Sequence, residues 1–302
     1  DHRWFFSPET REALHNGDIQ LSQGDLVSAF REWRNEDVIL HFEDQDGEIV
    51  EALGPKRGNL PYAKKKRKKW RQLQTGMDGL VWDYDVPGSR KRVKRKTHLL
   101  FITPTFARDR SIQEAWRLCT SRGQALNVFS AKLYKILGNK ATFKAKEAQS
   151  SGYPAPHILC IIDRPVTAFK HKNHWRVQNR RIVEQIKKAW PYGYVDVRAC
   201  VDGRVEGRGV MSYMMKYATK VVSPDPLQPN QTHIAELTHA WQKVYGIRDV
   251  ISKQFLERLN LLHVEPVSED TGPRWELKQI EYRPDLVLLA QRKGWAVRPP
   301  DT

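Results

Sequence analysis

The sequence predicts an α+β fold built on an antiparallel sheet, with helices on one face and the other face open for a ligand. Three observations carry that expectation. "HLLFIT" (98–103) and "HILCIID" (157–163) are short, nearly continuous apolar runs of strand length. "ATFKAKEAQ" (141–149) and "GYVDVRACV" (193–201) alternate with period two. Between them lie two stretches with helical spacing, 111–138 and 174–190.

The elements follow in chain order. "SPETREAL" sets a Ser before Pro and then acids, which reads as a helix start. "DVILHFEDQDGEIVEAL" reads as a hairpin around Asp-Gly. Two basic runs come next, "KKKRKKW" (64–70) and "SRKRVKRK" (89–96). Such runs commonly form solvated tails or loops. The alternative is a track that binds DNA phosphates without reading sequence. Lys64, Lys65, Lys66, Arg67, Lys68 and Lys69 would carry it, with Arg90, Lys91 and Arg92.

The stretch 111–138 opens with a Ser-x-x-Glu capping box, repeats apolar residues at Leu126, Phe129, Leu133 and Leu137, and ends in Gly138. A break is expected at Gly123. Val177, Ile182, Ile186 and Trp190 give 174–190 its helical spacing. In 141–149, Phe143, Ala145 and Glu147 share one face, with Lys144 and Lys146 facing out. "VMSYMMKYATK" (210–220) reads as an amphipathic helix. Tyr213, Lys216, Tyr217 and Lys220 fall within an arc of about 100°, with Val210, Met211 and Met214 largely opposite. The first six elements, β-α-β-β-α-β, follow the split βαβ order of ferredoxin-like folds. The prolines of "SPDPLQPN" (223–230) mark a linker, and 233–302 reads as mostly helical. Three regions are expected: an accessory region 1–97, a central domain 98–222, and a helical extension 223–302.

The chain has 302 residues, room for one large domain or two ordinary ones. It carries 51 Lys+Arg against 35 Asp+Glu, a net charge of +16. That balance favours a polyanionic partner, and its dispersal fits nucleic acid better than a single membrane-binding patch. Cys119, Cys160 and Cys200 lie far apart with no C-x-x-C pair, which argues against a zinc finger or disulfide framework. A reducing cytoplasm is the simplest compartment. No apolar run approaches the ~20 residues of a membrane span, and "DHRWFFSPETREA" has no signal-peptide pattern.

Glu147 and His157 draw attention for their chemistry. If 141–149 and 157–163 form a hairpin, both lie near the same end of neighbouring strands. An inward carboxylate needs a positive partner, either an Arg or Lys or a metal ion. One carboxylate and one imidazole can hold a divalent cation when substrate phosphate and water complete the shell. A tyrosine, with its phenol pKa of about 10, attacks a phosphodiester only if it is activated. A lysine one turn away lowers that pKa and steadies the developing charge. The bland reading makes Tyr213 and Tyr217 packing residues and gives Glu147 an arginine.

Three motifs resemble the HUH endonucleases, specifically the rolling-circle replication initiators (Rep proteins) of plasmids and single-stranded-DNA viruses. "LLFITPTF" (99–106) resembles their apolar strand ending in Thr. "KEAQSSGYPAPHIL" resembles their Pro-His-hydrophobic-His strand, with its Glu about ten residues earlier. "YMMKYATK", after "AWPYGYVDV", resembles their doubled Tyr-x-x-Lys motif. The similarity covers roughly 98–222, and the third motif is the most specific. It implies an HUH nuclease fold of ferredoxin or RRM type for the central domain. The implied reaction is site-specific nicking and joining of single-stranded DNA through a 5′-phosphotyrosine. Tyr217 and Tyr213 would be the nucleophiles, with Tyr217 cutting first, assisted by Lys216 and Lys220. His157 and Glu147 would ligate Mn or Mg. The implied partners are a plasmid or viral origin and a host polymerase and helicase.

One departure matters. The second histidine of the family's pair is Leu159 here. Asp163, His171 or His174 would have to help, or substrate and water would complete the site, or cleavage would be weak or lost. A transposase or relaxase of the same superfamily keeps the chemistry. A non-catalytic single-stranded nucleic-acid binder is the alternative of a different class.

Overall fold

The structure of the chain, a computed structural model, describes residues 6–86, 94–138, 141–205, 208–214, 229–261 and 276–284. It is a mixed α/β protein with a large antiparallel sheet, and nine helices lie among the described residues.

At the N-terminal end, α1 (Pro8–Asn16) starts where the Ser7 side chain accepts the Thr10 N–H, and it stops at Gly17, φ 88°. α2 (Gln23–Arg34) is capped by Ser22. β1 (Glu36–Glu43) and β2 (Ile49–Leu53) form the expected hairpin. Its tip is held by the Asp44 carboxylate, which accepts the N–H groups of Asp46 and Glu48, each at 2.9 Å. The first basic run departs from the tail-or-loop expectation. It is the middle of α3 (Leu60–Asp78), capped by Asn59. Lys and Arg are good helix formers, and Ala63, Leu73 and Met77 bury one face, leaving most of the charge on the other.

The central elements are β3 (Asp83–Asp85), β4 (Lys94–Pro104), α4 (Ile112–Leu118), α5 (Ala125–Leu137), β5 (Thr142–Ala148), β6 (Pro154–His171), β7 (His174–Val177), α6 (Arg180–Ala189) and β8 (Val195–Ala199). The helical stretch breaks around Gly123 as expected, and the break requires glycine there: a Cβ would come within 2.2 Å of the Arg117 carbonyl oxygen. The stretch 174–190 is only partly helical. Lys172 takes a positive φ of 54° and turns the chain back, so His174 pairs with His171 and Val177 with Ala168. Asn179 then accepts the Ile182 N–H and starts α6. Apolar spacing across that cap imitates a single helix.

β5 pairs with β6, β6 with β4, and β4 with β8, all antiparallel. "HLLFIT" is therefore central, as its apolar run predicts. β3 lies beside β4, and β7 touches β8 through the single register pair Arg176 and Arg198. β9 (Arg204–Val205) and β10 (Arg208–Gly209) lead into α7 (Val210–Met214). α8 (Pro229–Val244), β11 (Val250–Ile251), α9 (Lys253–Arg258) and β12 (Glu276–Pro284) follow. The segment after 223 is therefore not wholly helical: β11 extends the sheet beyond β5, and β12 pairs with β1.

Both faces of the sheet are covered, against the expectation of one open face. On one face Leu100, Ile102, Ile158 and Cys160 join residues of α2, α4, α5, α6 and α8. On the other, Leu99, Phe101, Phe143, Leu159 and Ile161 meet Leu73 and Met77 of α3, Met211 and Met214 of α7, and Phe255 of α9. The reason is visible in the strands. Apolar runs without alternation belong to strands buried on both sides. α2 packs on α8, where Arg31 donates to Glu236 at 3.0 and 2.7 Å.

Candidate functional site

Four strands carry a row of polar side chains across the second face. Glu147 stands at the end of β5 and His157 near the start of β6, 8% and 4% exposed. They reach diagonally across the hairpin, so that Glu147 Oε1 and His157 Nε2 are in direct contact. On the next strand, β4, Thr103 Oγ1 lies 3.1 Å from His157 Nδ1. One strand further, Asp196 of β8 is the register partner of Thr103. Antiparallel partners share a face, so the row runs Glu147, His157, Thr103, Asp196.

α7 places Tyr213 over this row. Val210, Met211 and Met214 are buried, as the amphipathic reading expects. The Tyr213 ring stands edge-on to Phe101 at 5.3 Å and to the His157 ring at 5.8 Å between centroids. The phenol-bearing residue, the imidazole and the carboxylate are thus neighbours on one face. Tyr217, Lys216 and Lys220 lie outside the described residues.

The donor set fits a divalent ion in part. As placed, Nε2–H donates to the Glu147 carboxylate; to ligate a divalent ion Nε2 would have to give up that proton, with Nδ1–H then donating to Thr103, the pairing of a hydrogen-bonded histidine with a cation. Among the described residues, no group of three or more His, Cys, Asp or Glu side chains is placed to hold a metal. Water and phosphate oxygens would have to fill the remaining positions. Leu159 is fully buried against the second core, opposite Phe101. The outside helpers do not join the pair. Asp163 is bound by Arg258. His171 and His174 pair at the far end of β6, 14 residues from His157 along the chain.

A small cavity of about 30 Å³ beside Glu147 is lined by Tyr62, Trp70, Met214 and His239, among others. Lys146 does not face solvent as the alternation predicts, and Lys144 is only half-exposed. Lys146 is buried and donates to the Arg248 carbonyl at 2.7 Å. Burial pushes the pKa of both ammonium groups down.

The basic run is sorted by the helix that carries it. Lys64, Lys65, Arg67, Lys68 and Lys69 are exposed. Lys66 turns inward, 3.2 Å from Asp249 and over the rings of Tyr62 and Trp70. Arg90, Lys91 and Arg92 lie outside the described residues.

Sequence reasoning missed Thr103 as a partner of His157, and missed Asp196 with its two arginines. Arg176 and Arg198 both form ion pairs with Asp196. Burial raises the Asp196 pKa, but hydrogen bonds from the two guanidiniums outweigh it and hold the carboxyl below its usual value. The alternation of "VDVRA" was the available signal: it puts Asp196 and Arg198 on one face together. Compared with known proteins, the chain matches no family, no curated protein and no solved structure.

Proposed function

We propose that the chain is a rolling-circle replication initiator of HUH type, which nicks and rejoins one DNA strand through a covalent 5′-phosphotyrosine. The observation that carries this reading is the placement of Tyr213 over the Glu147–His157 pair, ring to ring at 5.8 Å. The spatial order β5-β6-β4-β8, with helices between β4 and β5 and between β6 and β8, supports a ferredoxin-like, HUH-type arrangement.

Glu147 and His157 would hold the divalent ion, Mn or Mg, which when bound neutralises charge on a phosphodiester. Thr103 orients the imidazole. The tyrosine phenol, Tyr217 or Tyr213, loses its proton and forms the new bond to phosphorus. The bond to the 3′ oxygen breaks, that oxygen takes up a proton, and a 3′-hydroxyl is left for a polymerase. Lys216 and Lys220 assist the phenols. Attack by the 3′-hydroxyl on the phosphotyrosine reverses the step and closes the strand. The substrate is a single-stranded plasmid or viral origin, with host polymerase and helicase as partners, in the cytoplasm. No helix among the described residues is long and apolar enough to cross a membrane.

A second reading, a non-catalytic binder of single-stranded nucleic acid, is favoured by buried Leu159 and the two-donor set. Incubation with a single-stranded oligonucleotide and Mn²⁺ separates the two. A denaturant-stable protein–DNA adduct supports the nuclease. Salt-sensitive binding without adduct supports the binder. Joining of transposon ends instead of origin nicking would shift the reading to a transposase of the same superfamily.

A further inference from the structure

α3 carries its cations on two different faces, and the division has a geometric meaning. At 100° per residue, Lys64, Arg67, Lys68 and Arg71 fall within an arc of about 100°, the outer face. Lys66 falls on the opposite side with Tyr62, Trp70 and Leu73, and is held there by Asp249. The basic run is therefore not one track of six cations. It contributes three cations to a stripe that recruits Arg71 from beyond the run, and none of these four has an ion pair among the described residues.

The stripe forms one wall of a groove of about 730 Å³. Gln72 and Thr75 add polar side chains to the lining, and Leu261, from outside α3, adds an apolar one. Gly76 lets Leu261 come close: a Cβ on the glycine would meet Leu259 and Leu261 at 3.2 and 3.3 Å. Along the axis the cations sit at three levels about one turn, ~5.4 Å, apart. Such a ladder can meet successive phosphates of one extended strand, while Leu261 offers an apolar contact to sugar or base.

We propose that the outer face of α3 is a strand-binding site for single-stranded nucleic acid, separate from the tyrosine centre. It rests on the nucleic-acid reading above for the identity of the polyanion, but not on cleavage. The inner face of the same helix, through Tyr62 and Trp70, lines the cavity beside Glu147. A strand in the groove therefore lies about one helix diameter, ~10 Å, from the polar row. The bound tract is one that flanks the reacting phosphate and is not itself cut.

The experiment measures binding of labelled oligo-dT by fluorescence anisotropy across a salt series. The protein is the full chain and a Lys64→Ser, Arg67→Ser, Lys68→Ser, Arg71→Ser variant. All four side chains are exposed, and circular dichroism checks that the fold is kept. The slope of log K against log[salt] should become shallower by about 3, roughly 0.7 for each phosphate no longer neutralised, with at least about tenfold weaker binding. Lys66→Met removes a charge from the inner side of the same helix and should leave the slope unchanged. An unaltered slope in the fourfold variant overturns the site. So does a Lys66→Met loss equal to that of a single outer-face substitution, Arg67→Ser, which would mean that only total charge counts. Blunt duplex DNA competing as well as oligo-dT overturns the single-strand assignment. Adduct formation is scored separately: losing it in tyrosine variants with the salt slope intact bears on cleavage alone.

Discussion

Thr103 Oγ1 sits 3.1 Å from His157 Nδ1, on the strand next to the one that carries the histidine. This contact fixes the imidazole's orientation, so that Nε2 and no other atom is aimed at Glu147. A hydrogen bond to the second ring nitrogen of a ligating histidine typically matters 10–100-fold to affinity or activity.

Thr103→Val should therefore lower Mn²⁺-dependent adduct formation by about tenfold or more, and Thr103→Ser should restore it. Nitrogen-15 NMR of the His157 ring supplies a readout independent of activity. An unchanged tautomer and unchanged rate in the valine variant would exclude a positioning role for Thr103.

Replacing both phenols, Tyr213→Phe with Tyr217→Phe, should abolish the covalent adduct. Tyr213→Phe alone keeps the ring contacts with Phe101 and His157, so circular dichroism should show the fold retained. Adduct yield undiminished in the double variant would refute the nucleophile assignment.

His157→Ala should remove metal-dependent cleavage and leave DNA binding nearly unchanged, whereas equal activity in EDTA would count against any metal. Leu159→His tests the position where the resemblance would place a second histidine. Calorimetry should show tighter Mn²⁺ binding. Thermal unfolding should show a cost of about 2 kcal/mol without metal, because a polar ring enters a fully buried site.

Asp196 ties stability to acid pH. Burial alone would raise its folded pKa, but hydrogen bonds from Arg176 and Arg198 more than offset this and hold it below the ordinary 3.8. Its contribution is present above pH 3.8 and is lost as pH falls through the lower folded value. Asp196→Asn should destabilise at neutral pH and flatten the acid limb of a stability–pH curve. An acid limb as steep as that of the parent would count against the pair.

Lys243 works in the opposite range. Burial, then Arg57, Lys56 and Arg11, push its pKa down from 10.5 to about 8. Between those values the unfolded chain holds a proton that the folded chain has released, so stability rises with pH across that window. Lys243→Met should remove part of this rise in denaturant titrations. A rise of undiminished size would show that Lys243 does not titrate there.

Much of the site was legible because its signals are local. The hairpin of β5 and β6 follows from alternation and prolines, and it alone brings Glu147 and His157 together. The helix carrying Tyr213 follows from its apolar spacing. What stayed hidden depends on pairings distant in sequence. Thr103 meets His157 only because β4 lies beside β6, and Asp196 joins the row only because β8 lies beside β4. The covered second face could have been anticipated from the unbroken apolar runs. The inward turn of Lys66 could not, because it depends on Asp249, 183 residues away.

The pairing of β1 with β12 sets a condition on how the chain is made. Glu36 meets Pro284, so β1 leaves the ribosome long before its partner strand does. Closing so long a loop is entropically slow, and pairings of this separation form late. A nascent chain stalled before residue 276 keeps β1 with only β2 beside it, an unsealed edge exposed to chaperones or to its neighbours.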